Sequence, residues 1–316
     1  MILILNLLIF ILISLSLYML FSKISSNAHL TVALGPNRIL FGVILFLIRF
    51  LFPFNFPSPI ELNLYIPVSP FTKSNFYSTN FQAITLFLFL IWISILIIKL
   101  YRKVTAYRLF HEYLWGISHA NSPTEKVSGI TANLIKTYRI KSDITLIQDS
   151  SIHQPFVLGM RKIIIALPMK EYSDIQLDFI LKHELTHIKH RDSISKCFLE
   201  FLDALYWWNP FIHKLIAEIH KLLEIRCDLS VSKNLSEQEK IDYLSLLLNE
   251  SQDMKIKNNH FHFFSLTTGS KSFLIQRFNA ILYHKTISNL HLIMFSISII
   301  ILALILFLLQ IILIFK

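Results

Sequence analysis

Cysteine is scarce in this chain of 316 residues, which has only Cys197 and Cys227 and no Cys-x-x-Cys pair. A disulfide framework is therefore not expected, and a reducing compartment is the default. The N-terminus lacks the basic start and small-residue cleavage site of a signal peptide, so residues 1–21 are expected to persist as a helix. Acidic residues are also few, with 20 against 30 Lys and Arg.

Apolar residues are in excess: they make up 54% of the chain, which contains 27 Phe. A soluble domain has about 45–50% apolar residues. The excess lies in blocks near the length of about 20 residues that a membrane-spanning helix needs. We expect four transmembrane helices, three of them (about 1–21, 36–56 and 81–100) in a membrane region of residues 1–100, and the fourth at residues 287–316.

The distribution of charge predicts the orientation of these helices. Of the 30 Lys and Arg, 24 lie in residues 101–287, together with 19 of the 20 acidic residues. The positive-inside rule places this region in the cytoplasm and both termini outside. Its net charge of +5 is ordinary for a domain facing anionic lipid, so direct nucleic-acid binding is not expected. We therefore expect a plasma-membrane protein with a cytoplasmic domain at residues 101–286.

Short signals predict the elements of that domain. Capping boxes are expected at Ser122, Ser173 and Ser236, each with a Glu or Gln three residues later. Residues 144–148 and 162–167 have strand character, and Gly159 permits a tight turn after a short strand at residues 156–158. The helix that begins near Ser173 is expected to continue past Asp192, and Asn209 is expected to cap a further helix that begins at Pro210.

The helix after Ser173 carries His183-Glu184-Leu-Thr-His187, a His-Glu-x-x-His motif. Residues i and i+4 share a helix face, so both imidazoles can bind one ion. Glu184 can hold and deprotonate a water molecule at that ion. This motif is short enough to occur by chance, but its place on a capped helix supports a metal site.

A zinc site with two histidines requires a third protein ligand. Three acids on the following helix are candidates: Glu218, Glu224 and Asp228. Glu218 falls on the expected solvent face, whereas Glu224 and Asp228 are one turn apart. Glu224 is the favoured ligand, and Asp228 can accept a proton from the free ring nitrogen of a ligating histidine. The alternative is an ion pair between Glu224 and Lys221 or Arg226.

Several segments in order resemble the M56 peptidase family, integral-membrane zinc proteases that include the β-lactam sensor-transducers of the BlaR/MecR type. These segments are Pro155-Phe-Val-Leu-Gly159, the strand that ends at Pro168, His183-Glu-Leu-Thr-His187-Ile-Lys-His190-Arg-Asp192, Trp208-Asn-Pro210 and Glu224-x-x-Cys-Asp228. The resemblance covers roughly residues 100–285.

This resemblance implies a cytoplasmic α+β gluzincin domain with a small β-sheet and one Zn²⁺ per chain. His183, His187 and Glu224 would bind the zinc, and Glu184 would be the catalytic base. Asp228 would support a ligand from behind, and Phe156, Val157 and Leu158 would form the edge strand that receives the substrate. Family members cleave themselves and a cytoplasmic repressor, so a BlaI/MecI-like repressor is an expected partner beside membrane lipid, and a homodimer is left open.

One departure from the family is the expected absence of a penicillin-binding sensor domain after the last span. Ser193-Ile-Ser-Lys196 fits Ser-x-x-Lys, but no Lys-Thr-Gly partner accompanies it, so the match is read as accidental. Residues 267–272 would be a reachable region for self-cleavage, but a plain flexible linker is the favoured interpretation of this stretch. Two alternative functions remain at this stage: a quality-control protease like those of the M48 family, and a non-catalytic scaffold on a protease fold.

Overall fold

A computed structural model describes residues 2–51, 79–120, 122–256 and 271–283. Its helices are α1 (Ile2–Ser26), α2 (Ala28–Leu34), α3 (Pro36–Leu51), α4 (Thr79–Ala120), α5 (Glu125–Tyr138), α6 (Asp174–Lys189), α7 (Asp192–Leu205), α8 (Pro210–Ser232), α9 (Glu237–Ile256) and α10 (Lys271–Leu282). Three strands lie between α5 and α6: β1 (Asp143–Asp149), β2 (Phe156–Leu158) and β3 (Lys162–Pro168). The mostly helical fold with one small sheet agrees with the expected class.

The sheet is mixed, with the order β1-β3-β2. Strand β1 pairs with β3 in parallel, and β2 pairs with β3 in antiparallel fashion, with Val157 opposite Ile165. Central β3 is buried from Ile163 to Pro168 because it is covered on both faces. The turn at Gly159 has φ +106°, and a Cβ there would lie 2.1 Å from the carbonyl oxygen of Lys162. The predicted strands and their turn are confirmed.

The helix boundaries follow most of the capping signals. Ser173 and Gln176 form the predicted capping box of α6, and Ser236 makes the equivalent bonds with Glu239 ahead of α9. The Asn209 side chain accepts from two backbone N–H groups at the start of α8. The box at Ser122 is wrong. There α5 begins at Glu125 after Thr124, whose N–H and hydroxyl both donate to the Gln148 side chain of β1.

The motif helix also ends earlier than expected. Helix α6 stops at Lys189, and Arg191 adopts a left-handed conformation with φ 57° and ψ 40° before α7 begins at Asp192. The prediction of one helix past Asp192 is therefore wrong. The break turns the chain so that the first residue of α7 faces back toward α6.

Two groups of buried apolar side chains hold the elements together. The first, here called the helical core, joins α1 and α3 to α7 and α8 through residues such as Phe21, Leu47, Leu202 and Leu222. The second, here called the sheet core, packs β3 against α5, α6 and α9. Helix α8 thus lies between α1 and α6. The domain that carries the motif shares its core with the segment assigned to the first two spans.

Within the described residues, no helix combines the length and the apolar character that crossing a membrane requires. The expected spans near residues 1–21 and 36–51 fall in α1 and α3, and the third falls in α4, which continues to Ala120. Residues 52–56 of the second expected span and the whole expected fourth span lie outside the described residues, as does most of the stretch considered for self-cleavage. The four spans therefore stay a prediction.

Candidate metal centre

Helix α6 presents both motif histidines on one buried face. The residues His183 and His187 are 8% and 7% exposed, and their ring centroids are 4.9 Å apart. Their Nε2 atoms lie 3.2 Å from each other. Spacing by four residues brings the two rings together, as the sequence indicated.

Helix α8 brings the Glu224 carboxylate to the same point. Its Oε2 atom lies 3.3 Å from His183 Nε2 and 3.5 Å from His187 Nε2. Tetrahedral zinc with bonds of about 2.0–2.1 Å separates its ligand atoms by about 3.3–3.4 Å. These three atoms thus already form a triangle of the size that a zinc ion requires, and the ligand types are those that zinc prefers.

The contact at His187 Nδ1 determines which of its two ring nitrogens keeps a lone pair. His187 Nδ1 lies 2.7 Å from Oδ2 of Asp192, the first residue of α7. A carboxylate only accepts hydrogen bonds, so Nδ1 carries the proton and Nε2 is left with its lone pair toward Glu224. This buried carboxylate–histidine pair is the usual support of a metal ligand.

The outer nitrogen of His183 faces a second carboxylate and a tyrosine. His183 Nδ1 lies 3.1 Å from the Tyr243 hydroxyl and 3.3 Å from Asp228 Oδ1. The Tyr243 hydroxyl donates to Asp228 Oδ1 at 2.8 Å, so its oxygen can accept from His183. Asp228 therefore lies behind His183 and outside the ligand triangle.

An arginine pairs with each of these buried carboxylates. Arg226 donates to Asp192, and Arg277 of α10 donates to both oxygens of Asp228 at 2.6 and 2.7 Å. Burial alone would raise the pKa of Asp228, but Arg277 and His183 lower it to about 2. The carboxylate is therefore ionised at neutral pH, as an acceptor of the His183 proton must be.

Glu224 is held in its ionised form as well. Burial acts to raise its pKa, but His187, Lys196 and His183 together bring the pKa well below the ordinary value of 4.5. Lys196 of α7 places its Nζ 3.6 Å from Glu224 Oε1, the oxygen that faces away from the histidine pair. A metal ligand must be deprotonated, and Glu224 meets that condition.

The carboxylate of Glu184 contrasts with these paired acids. Glu184 is 6% exposed, and it makes no hydrogen bond or ion pair with any residue that the structure describes. All the other acids at this centre are engaged by histidine, tyrosine, lysine or arginine. Among the described residues, none uses the lone pairs of the Glu184 carboxylate.

The remaining candidates of the sequence lie elsewhere. Glu218 accepts from Ser25 of α1 at 2.8 Å and from Lys221 at 2.7 Å, so both of its recorded partners are residues other than the motif histidines. His213, also on α8, uses one ring nitrogen on Asp203 and the other on the Trp207 carbonyl. Neither residue contributes to the ligand triangle.

A second cluster of metal-type residues adjoins the first: His187, Asp192 and Cys227. Burial raises the pKa of the Cys227 thiol to about 11, so it is not a thiolate at neutral pH. Asp192 already accepts from His187 and Arg226. This cluster therefore supports His187 and does not form a second metal site.

The edge strand β2 lies beside the motif helix. Leu158 is buried, whereas Phe156 and Val157 are half-buried, and Phe156 stacks on Phe110 of α4 at 5.8 Å. Val157 packs against the sheet core that contains Phe179 and Leu181 of α6. The strand expected to receive a substrate is thus next to the helix of the metal centre.

Several known proteins are similar to this chain in sequence. The chain is 27% identical over 189 residues to the methicillin resistance mecR1 protein of Staphylococcus aureus, covering 59% of this chain and 30% of that protein. It is 30% identical over 112 residues to the regulatory protein BlaR1 of Bacillus licheniformis, covering 35% of this chain and 19% of that protein. The BlaR1 protein of Staphylococcus aureus is 24% identical over 220 residues, covering 69% and 37%.

The chain thus spans at most 37% of the length of these curated relatives. The family model described as BlaR1 peptidase M56 matches residues 63–281, which is more than half of the chain and includes the ligand triangle, Glu184 and the edge strand. The resemblance noted from the motifs is confirmed, and the chain belongs to the BlaR1-type M56 peptidase family.

Proposed function

We propose that this chain is an integral-membrane zinc-dependent endopeptidase. The observation that carries the proposal is the triangle of His183 Nε2, His187 Nε2 and Glu224 Oε2, with sides of 3.2 to 3.5 Å. Zinc bound there would act as a Lewis acid that polarises the peptide carbonyl and makes water more acidic. Asp192 and Asp228 support this assignment, because each fixes a histidine with its Nε2 lone pair directed inward.

Glu184 is assigned the proton transfers of the reaction. Its buried carboxylate is unpaired among the described residues and is attached next to His183, so it is available to a water molecule at the ligand triangle. It takes a proton from that water as the peptide carbonyl is attacked, and it can return the proton to the leaving amine. Strand β2 would hold an extended substrate by main-chain hydrogen bonds beside α6.

A regulatory role is proposed from the relatives, one of which is named a methicillin resistance protein and two of which are named regulatory proteins. The substrates would be this chain itself, a cytoplasmic BlaI/MecI-like transcriptional repressor, or both. The chain spans only part of its relatives' length. Its activation by a signal is therefore part of the proposal, as its substrates are. The alternative of a general quality-control protease differs in its substrates and not in its metal centre.

A membrane location is supported by two observations. Large apolar side chains on α4 are exposed where a soluble protein would hide them; Ile84, Phe87 and Leu90 are 57%, 63% and 51% exposed. The Lys and Arg residues are concentrated in residues 101–287. We infer that lipid covers this part of α4 and that the metal centre faces the cytoplasm.

The test of the peptidase is Glu184→Gln in the full chain purified in detergent. This change keeps the shape of the side chain but removes the base, so we expect stoichiometric zinc with cleavage reduced by at least about 100-fold. Cleavage would be followed by mass spectrometry as a break in the chain itself and as digestion of unfolded casein. Glu171→Gln, an exposed acid shortly before α6, is the matched control and should cleave like the wild type.

Three outcomes of this experiment are informative. Wild-type protein without zinc would overturn the metal site, and a Glu184→Gln protein that cleaves at the wild-type rate would overturn the role of the base. A wild type that binds zinc but cleaves neither itself nor casein, even when a repressor is added, would favour the non-catalytic scaffold.

A further inference from the structure

Helix α10 supplies a buried arginine to the metal centre, although it lies outside all the segments that carry the family motifs. The Arg277 side chain is 11% exposed, and that of its partner Asp228 is fully buried. Arg277 Nε donates to Asp228 Oδ2 at 2.6 Å, and a terminal nitrogen of the same guanidinium donates to Oδ1 at 2.7 Å. Both carboxylate oxygens are therefore fixed by one planar group.

The Oδ1 atom of Asp228 is where this pair meets the metal centre. It accepts from Tyr243 at 2.8 Å and lies 3.3 Å from His183 Nδ1, in addition to its bond with Arg277. If Arg277 did not hold both oxygens, the carboxylate could rotate about its terminal torsion and leave His183 Nδ1 with the neutral Tyr243 hydroxyl in place of a carboxylate. A change at Arg277 is thereby transmitted through Asp228 to the ring whose Nε2 belongs to the ligand triangle.

The packing of α10 places the guanidinium in register with α8. Phe273 and Ala280 of α10 are buried against Ile225, which follows Glu224 on α8, and against Ala28 of α2. The Arg277 guanidinium also lies 6.0 Å from the centre of the Phe273 ring. The packing of α10 against α8 therefore places Arg277 beside the helical turn that contains both Glu224 and Asp228.

We propose that Arg277 is a positioning residue of the metal centre, whose guanidinium acts through Asp228 on His183 and thereby raises the affinity for the metal. This inference rests on the proposed zinc site.

The test measures zinc affinity of the full chain in detergent by competition with a chromophoric chelator. Arg277→Met should raise the zinc Kd by about 10- to 100-fold, as is usual when the support of a metal ligand is lost. Arg277→Lys keeps the charge but cannot bind both oxygens, so its effect should be intermediate. Ile281→Ala, which loosens the buried side of the same helix without touching Asp228, is the matched control for lost packing and should lower the melting temperature with less than a twofold change in Kd.

A double-mutant comparison tests the route through Asp228. In an Asp228→Asn background, Arg277→Met should change the Kd less than twofold, because the carboxylate that Arg277 positions is gone. Arg277→Met on its own leaves the Asp228 carboxylate buried without its cation and could fail to fold. In that case the Asp228→Asn, Arg277→Gln double variant replaces it, because that variant has neither charge. An unchanged Kd in Arg277→Met, the same loss in Ile281→Ala, or the full loss in the Asp228→Asn background would each refute the proposal. A wild type that binds no zinc would instead refute the proposed function.

Discussion

At the scale of single residues, the candidate metal centre has an inner layer, the three residues that could hold a metal together with Glu184, and an outer layer of residues that contact them. The sequence indicates the inner layer better than the outer one. The inner layer has fixed spacing on helices, so His183, Glu184, His187 and Glu224 were recognisable from periodicity and from the chemistry of their side chains. In the outer layer, Asp228 was found because it lies one turn from Glu224. Tyr243 and Arg277 were missed, since they come from α9 and α10 and no sequence spacing relates them to the motif.

Asp192 was missed for a different reason. It is close to the motif in the sequence, but a continuous helix would have directed it elsewhere. The left-handed conformation of Arg191 alone turns Asp192 back to His187 Nδ1, at 2.7 Å. A non-glycine residue in that conformation is uncommon and carries no reliable sequence signal.

The substitution Asp192→Asn gives a prediction at this scale. An asparagine can still contact His187 but leaves Arg226 without a buried countercharge, so we expect zinc affinity to fall about 10- to 100-fold. Chelator competition on purified protein would measure it. Asp178→Asn removes the same charge from a half-exposed ion pair with Lys182 on α6, and its zinc affinity should equal that of the wild type. Equal losses in the two variants would show that net charge, and not the contact with His187, matters.

At the scale of elements, capping chemistry determined where the sequence was informative. The boxes at Ser173 and Ser236 need only local bonds within one turn, and both form. The box at Ser122 failed because a longer-range bond replaced it: Thr124 donates to Gln148 of β1. The sequence alone does not show that β1 comes close enough to compete with a local cap.

The turn between β2 and β3 gives a prediction about stability. Gly159→Ala combines φ +106° with a Cβ 2.1 Å from the Lys162 carbonyl oxygen, so it should reduce the free energy of unfolding by more than about 1 kcal/mol. Gly129→Ala is the control, because a Cβ on this α5 glycine contacts nothing within 4 Å. It should stabilise the helix by about 0.5–1 kcal/mol. Thermal or denaturant unfolding measures the free energy of unfolding of both variants. A Gly159→Ala protein as stable as the wild type would contradict the described turn.

The contact between α7 and α8 gives a pH prediction. His213 pairs with Asp203, whose hydrogen bond is the main cause that raises the His213 pKa above its ordinary 6.5. Burial would raise the pKa of Asp203, but His213 and Lys103 lower it below 3.8. A raised histidine pKa gives stability that is complete below pH 6.5 and is lost as pH rises through the folded-state value. A lowered aspartate pKa gives stability above pH 3.8 that is lost on acidification.

The pair should therefore contribute most between about pH 4 and 6.5, and by no more than about 1 kcal/mol because it is one third exposed. The stability difference between wild type and His213→Gln, measured by unfolding from pH 5 to pH 9, should shrink as pH rises. Lys126→Gln, which removes a mostly exposed pair with Asp174, should show no such trend. If the stability difference between wild type and His213→Gln grew with pH, the pair of His213 with Asp203 would not raise the pKa of His213.

At the scale of the whole molecule, the helical core joins what the sequence treated as two regions. Phe21 of α1 and Leu47 of α3 are buried with Leu222 of α8, which also carries Glu224. Ser14 and Asn209 form a fully buried hydrogen bond of 3.1 Å between α1 and the start of α8. Composition could assign residues 1–100 and 101–286 to different environments, but it could not reveal that the two share a core.

The orientation of this joined molecule is testable with its own cysteines. Cys197 on α7 is exposed and Cys227 is buried, so only Cys197 should react with a membrane-impermeant maleimide. A cytoplasmic metal centre predicts no labelling in intact cells and labelling after permeabilisation. The same charge rule places the segment between the second and third expected spans outside the cell. Ser58→Cys in that segment, made in a Cys197→Ser background, should therefore react in intact cells. Labelling of Cys197 in intact cells would place the metal centre on the outer face, where a cytoplasmic repressor cannot reach it, and would leave self-cleavage or an external peptide as the substrate.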